Sequence, residues 1–199
     1  MARHTLTTGL LALGFVAFSG ALTWHGLNAA PAVDRPAVEL DAAAVERGAY
    51  LVKTMGCHDC HTPWTMGPRG PEPDMSRALT GHPADFVMPP PPPLPPGPWL
   101  WLGAATNTAF AGPWGVSFTA NLTPDKETGL GNWTAETFIA MLKTGRHEGK
   151  GRAVLPPMPV QVYAELTEED MRAVFAYLQS LAPVHNRVPQ PIDPPEAGQ

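Results

Sequence analysis

Cys57-His58-Asp59-Cys60-His61 sets two thiols three positions apart, with an imidazole directly after the second. The pattern C-x-x-C-H is the attachment signature of covalently bound haem c. Each thiol can form a thioether to a haem vinyl group, and His61 can then reach the iron from one side. These are the only two cysteines among the 199 residues, so a chain that uses both for haem has none left for a disulfide. Three rival chemistries fit less well. A thioredoxin-like redox pair needs a βαβ context, and no alternation of strand and helix surrounds this motif. A structural zinc site needs four ligands at metal spacing, whereas His82, His147 and His185 stand alone. A disulfide between Cys57 and Cys60 would close a very small loop and stabilise little.

The second chemistry-bearing stretch is Leu155-Pro156-Pro157-Met158-Pro159. A haem iron already bound by His commonly takes a Met thioether as its second axial ligand, which raises the reduction potential. Prolines on both sides fix φ and remove donors that would pull the loop elsewhere. The chain has eight methionines, and most methionines fill gaps in cores. Met158 is set apart by its proline frame and its place ahead of the last helix. Met66, Met75, Met88, His82 and His147 are the alternatives. Arg146 and Arg152 are candidates to pair a haem propionate. The other ring nitrogen of His61 should donate to a backbone carbonyl, which fixes the tautomer; Gly67-Pro68 and Gly70-Pro71 are candidate sources.

Helices must position these groups. Asp41 reads as an N-cap before Ala42-Ala43-Ala44. Val45, Ala49, Val52 and Met55, joined by Leu51, make an apolar stripe, with Tyr50 and Val52 as packing residues. Gly56 is placed to end the helix as a left-handed cap and deliver Cys57 to the haem. Thr134 is an N-cap for a short amphipathic helix carrying Phe138, Ile139, Met141 and Leu142 and ending at Gly145. Thr167, with Asp170 three residues on, opens a last helix. There Met171, Val174, Phe175, Leu178 and Leu181 recur at helical spacing up to Pro183.

The stretch 63–118 fits no helix. Prolines 89 to 93, 95, 96 and 98 favour extended polyproline II. Such a run is expected to be a rigid strap over the core, with a docking ligand for a partner as the other reading. Trp99, Leu100, Trp101 and Leu102 would then shield a haem face or fill the core beneath it.

The 25 prolines are far above the usual share. The formal charge of −5 and the lack of a basic cluster argue against nucleic acid as a partner. Residues 1–32 read as an export segment: Arg3, an apolar run from Leu10 to Leu22, and Ala30-Pro31-Ala32 as a cleavage site. The rival reading is an uncleaved anchor. Thr5 to Trp24 is an uncharged stretch of about 20 residues, the length that spans a bilayer. Either reading puts the remainder on the periplasmic side of the cytoplasmic membrane, soluble if cut near Ala32 and anchored through residues 5–24 if not. The expected division is a leader or anchor over 1–32, a linker over 33–40, one domain over 41–188 that holds the 63–118 insertion, and a proline-rich tail over 189–199, extended and partly disordered.

The motif order resembles a class I c-type cytochrome: a helix running into Cys57-x-x-Cys60-His61, the Met158 loop, and a last helix with Phe175-Ala176-Tyr177-Leu178. The run Asn121-Leu122-Thr123-Pro124-Asp125 followed by Thr128-Gly129-Leu130-Gly131-Asn132-Trp133-Thr134 is similar to haem domains in cytochrome subunits of periplasmic membrane-associated dehydrogenases. The resemblance covers about 41–62 and 116–188. Those subunits usually carry three C-x-x-C-H motifs, and this chain has one. The resemblance implies a mostly α fold with few helices around one covalent haem, plus a long proline-rich irregular insertion. It also implies that Asn121 and Trp133 lie near the haem propionates.

Three functions follow from these readings. The first is a single-haem electron carrier with iron held by His61 and Met158, serving partners such as a membrane-associated dehydrogenase or a terminal oxidase. The second is an open-site haem enzyme or gas sensor, which would need Met158 off the iron; no acid–base pair stands out for such work, so no catalytic residue is expected. The third is a haem subunit fixed permanently in a dehydrogenase complex.

Overall fold

In a computed structural model of the chain, the described residues are 41–94 and 97–194. The leader or anchor, the linker, Pro95-Pro96 and the last five residues lie outside them. Among the described residues, no helix is long and apolar enough to cross a membrane.

Helix α1 spans Ala42–Thr54, and the Asp41 carboxylate caps it by accepting from the Ala43 N–H at 3.0 Å. Helix α5 spans Glu168–Ser180, and Thr167 Oγ1 caps it by accepting from Asp170 N at 3.1 Å. The two cross closely because Gly48 has no side chain. A Cβ there would collide with the Ala173 carbonyl and come within 2.7 Å of Tyr177 Cβ. Val52, Leu51, Met171, Val174 and Leu178 are buried at this crossing and join Phe138 and Leu142 in one core. Tyr50, read as a packing residue, is exposed instead, its ring lying under the Arg47 guanidinium.

Gly48→Ala tests the crossing. Alanine favours a helix over glycine by roughly 1 kcal/mol. Overpacking a backbone contact costs about 3 kcal/mol, so the collision wins. Thermal unfolding of the haem-loaded variant should show a lowered midpoint.

Helix α2 is the short turn Cys57–His61, and α3 spans Ala135–Thr144, capped by Thr134 and closed by Gly145 at φ 65°. A further turn, α4, covers Val160–Tyr163 and lies between Met158 and α5, so Met158 does not lead directly into the last helix.

The expected mostly α fold with an irregular insertion needs correction, because residues 63–118 build two small sheets. Strands β1 (Trp64–Gly67) and β2 (Gly70–Pro73) form a hairpin. Strands β3 (Leu102–Gly103), β4 (Ala109–Gly112) and β5 (Gly115–Phe118) form an antiparallel sheet in that order. The short strands carry too little alternation to stand out in sequence, and cross-strand bonds supply what the pattern lacks. Residues 89–93 of the proline run are exposed. Trp99 and Leu100 keep 77% and 62% of their surface in solvent, so they neither fill the core nor shield a cavity.

The tail is pinned as far as it is described. Ile192 exchanges both backbone hydrogen bonds with Val116, at 2.8 and 2.9 Å. Asn186 is a hub. Its amide donates to the carbonyls of Thr80 (2.7 Å) and His82 (2.9 Å), and its side-chain oxygen accepts from Ala84 N at 2.9 Å.

Candidate haem-binding site

The site is built around α2. Gly56 takes φ 71°, which glycine adopts without strain, and so turns the chain out of α1 into Cys57. Contacts from the insertion then hold the turn. Trp64 Nε1 and Asn107 Nδ2 both donate to the Asp59 carbonyl, at 2.9 and 2.7 Å. Thr62 Oγ1 accepts from Leu79 N at 2.9 Å, just past the turn. The insertion that fell outside the resemblance therefore braces the motif itself.

Cys57 and Cys60 are free thiols, both half-buried. Burial pushes the Cys57 thiol up to about 11, with Asp59 and Cys60 adding to the rise. Cys60 is raised as well, by burial first and Asp59 second. Both are therefore protonated at neutral pH, unlike the low-pKa thiolates of redox exchange.

His61 is buried, and its Nδ1 lies 2.8 Å from the Ala120 carbonyl. A carbonyl only accepts, so Nδ1 carries the proton and Nε2 keeps its lone pair. Burial holds His61 below the ordinary imidazole range; the Ala120 bond opposes this and His58 reinforces it. A neutral ring with a free Nε2 is the form that ligates a metal. The acceptor is thus Ala120, not the Gly67-Pro68 or Gly70-Pro71 turns named from sequence. Those two turns belong to the β1–β2 hairpin.

A cavity of about 240 Å³ lies against this face. Its wall includes Cys57, Cys60, His61 and Met158, with apolar groups such as Phe110, Leu130, Phe138 and Val174. A second, more polar cavity of about 460 Å³ shares Asn121, Trp133, His147 and Arg152 with the first and adds Lys126 and Arg187. The donor set (two thiols, one neutral imidazole, one thioether) fits a covalent haem in an apolar slot. One further observation agrees: Thr119 Oγ1, in the wall of the first cavity, is buried without a hydrogen-bond partner among the described residues. Orphaned buried hydroxyls are uncommon and mark a missing partner.

The other candidates sort by position. Met66 and Met75 are exposed and, like Met88, lie outside both cavity walls. His82 is fully buried, but Nδ1 meets Thr108 Oγ1 and Nε2 meets the Phe86 carbonyl, both at 2.9 Å, so no nitrogen is spare. His147 lines both cavities, edge-on to the Trp133 ring at 5.2 Å. Two methionines absent from the sequence shortlist, Met55 and Met141, also line the first cavity. Arg152 lines both cavities, whereas Arg146 lines neither and donates to the Gly151 carbonyl.

Asn121 is 2% exposed and its amide is fully engaged. It donates to Thr128 Oγ1 and the Val184 carbonyl and accepts from Thr123 N and Oγ1. It therefore ties the 121–128 loop to the tail beside the cavities. Trp133 is half-buried and lines both cavities. Tyr163, not singled out from sequence, bridges the two ends of the site. It follows the Met158 loop, and its hydroxyl donates to the Met55 carbonyl at 3.0 Å. Burial, with the thiols nearby, pushes its phenol up to about 12. A carbonyl such as that of Ala120 leaves no trace in residue type, and only the aromatic ring of Tyr163 hinted at its role.

No family model matches the chain. Among curated proteins, the cytochrome c subunit of a quinone alcohol dehydrogenase from Gluconobacter oxydans is 29% identical over 156 residues, 77% of this chain and 25% of that protein. The fructose dehydrogenase cytochrome subunit of Gluconobacter japonicus is 27% identical over 137 residues, 69% of this chain and 21% of that protein. The gluconate 2-dehydrogenase cytochrome c subunit of Pantoea cypripedii is 28% identical over 143 residues, 71% of this chain and 24% of that protein. The chain thus spans a quarter or less of the length of these relatives. In sequence it resembles the cytochrome c subunits of dehydrogenases.

Proposed function

We propose that this chain is a single-haem c-type cytochrome with a class I fold, passing one electron at a time between redox partners on the periplasmic side of the membrane. The observation that carries the reading is the cavity wall that includes Cys57, Cys60, His61 and Met158. Cys57 and Cys60 would tether the haem covalently. His61 Nε2 and the Met158 sulfur would hold its iron, leaving no coordination position for a substrate. When bound, the haem supplies a one-electron couple whose potential follows its axial ligands and burial.

The protein's own contribution is orientation and exclusion of water. Ala120 holds the proton on His61 Nδ1 and so keeps Nε2 available. Phe110, Leu130, Phe138 and Val174 keep the site apolar, while Thr119, Trp133 and Arg152 offer donors for the acidic edge of the group. The carrier reading places no catalytic residue on this chain.

The second reading, a haem subunit held in a dehydrogenase complex, is favoured by the relatives, which carry dehydrogenase names. A dehydrogenase is the proposed electron donor, with a terminal oxidase or another redox protein as acceptor. The exposed Trp99 and Leu100 beside the proline run suit a docking ligand better than a cover.

The test is haem content after production with a haem c assembly system. Acidified organic solvent should leave the haem on the polypeptide, at one per chain. Haem released into the solvent, or zinc near one per chain, would overturn the assignment.

A further inference from the structure

Both ligand-bearing elements meet one short piece of backbone. Ala120 accepts from His61 Nδ1 at 2.8 Å. Three residues earlier, Ser117 Oγ donates to the Pro156 carbonyl at 2.6 Å, two residues before Met158. Ser117 is 7% exposed. Its other nearby acceptor, the Phe110 carbonyl, lies at 3.4 Å, so the single hydroxyl proton goes to Pro156.

The Met158 loop has little means of attachment of its own. Pro156, Pro157 and Pro159 have no N–H. Residues 156 and 157 form a turn, which links the loop only to itself, and among the described residues the N–H groups of Leu155 and Met158 reach no acceptor outside the loop. The flanks are held by Val154 N to the Gly145 carbonyl at 2.8 Å and Val160 N to the Met158 carbonyl at 2.9 Å. Between them, among the described residues, the hydroxyl of Ser117 is the one donor from outside the loop to the stretch 155–157.

Ser117 is itself rigidly placed. It pairs with Phe110 in the β4–β5 ladder, and its neighbour Val116 is bridged to Ile192 by two backbone bonds. Phe118 and Thr119, between Ser117 and Ala120, line the cavity.

We infer that Ser117 is a positioning residue for Met158, and that the segment Ser117–Ala120 acts as one clamp fixing the Met158 loop relative to His61. The proline frame supplies stiffness without attachment, and Ser117 supplies the attachment. This rests on the reading of Met158 as the axial ligand.

The experiment uses the haem-loaded full chain and four variants: Ser117→Ala, the volume-matched pair Ser117→Thr and Ser117→Val, and Met158→Ala. Two quantities are read on the ferric protein, the weak far-red band of iron–methionine ligation and the affinity for cyanide. The band should be present in the wild type and absent from Met158→Ala. Ser117→Ala should bind cyanide about tenfold tighter, the scale of one lost hydrogen bond, with a weaker far-red band. Ser117→Val should do the same relative to Ser117→Thr. A purely structural role for Ser117 would lower the melting temperature without tightening cyanide binding, and that result overturns the proposal. Equal cyanide affinity in the Thr and Val variants overturns it too, even if the Ala variant does not fold. A wild type without the band overturns the Met158 reading and this proposal with it; a wild type with the band and Ser117 variants that match it overturns this proposal alone.

Discussion

Met158→Ala should lower the reduction potential by on the order of 100 mV, a part of the range of about 0.8 V that axial ligation spans. A neutral thioether stabilises ferrous over ferric iron, so its loss favours the oxidised state. The ferric protein should then bind cyanide, the ferrous protein should bind carbon monoxide, and adventitious peroxidase activity should rise. The fold should survive, because Met158 is only partly buried at the margin of the core. Met55 and Met141 share the cavity wall and make the comparison specific. If Met141→Ala or Met55→Ala removes the far-red band and Met158→Ala does not, the ligand is misassigned. If the wild type lacks the band and binds carbon monoxide readily, the open-site enzyme or sensor replaces the carrier.

Cys60→Ala should leave at most one thioether and a poorly assembled protein, and removing both thiols should leave all haem extractable into acidified organic solvent. Cys57 and Cys60 sit at i and i+3 on α2, a spacing that puts both side chains on one helix face. That face borders the cavity. The α2 turn itself should persist, since bonds from Trp64, Asn107 and Leu79 brace it independently of its thiols. Haem retained on the double variant through denaturing extraction would refute attachment through these residues.

The parts legible in the sequence are those whose cause lies within a few residues. Asp41, Thr134 and Thr167 cap helices because a short polar side chain meets N–H groups two or three positions on. Gly56 and Gly145 end helices because each takes a positive φ. The stripe of Met171, Val174 and Leu178 follows from helical period. The C-x-x-C-H spacing is equally local, since the two thiols and the imidazole stand within the one short helix Cys57–His61.

Tertiary structure decided what depends on distant backbone. The ring of His61 is oriented by a carbonyl 59 residues away, and a carbonyl is common to every residue type, so no pattern could single out Ala120. The proline loop of Met158 is held by a hydroxyl 39 residues away, on a strand too short to read by alternation. The described end of the chain is tied down through Asn186 and Ile192, which bond to groups between residues 80 and 128. Residue type limits the chemistry the proposed site can do, because only a few side chains can form a thioether or ligate iron. The folded backbone chose how those groups are held, because hydrogen bonds to main-chain carbonyls follow position and leave the identity of the residue free.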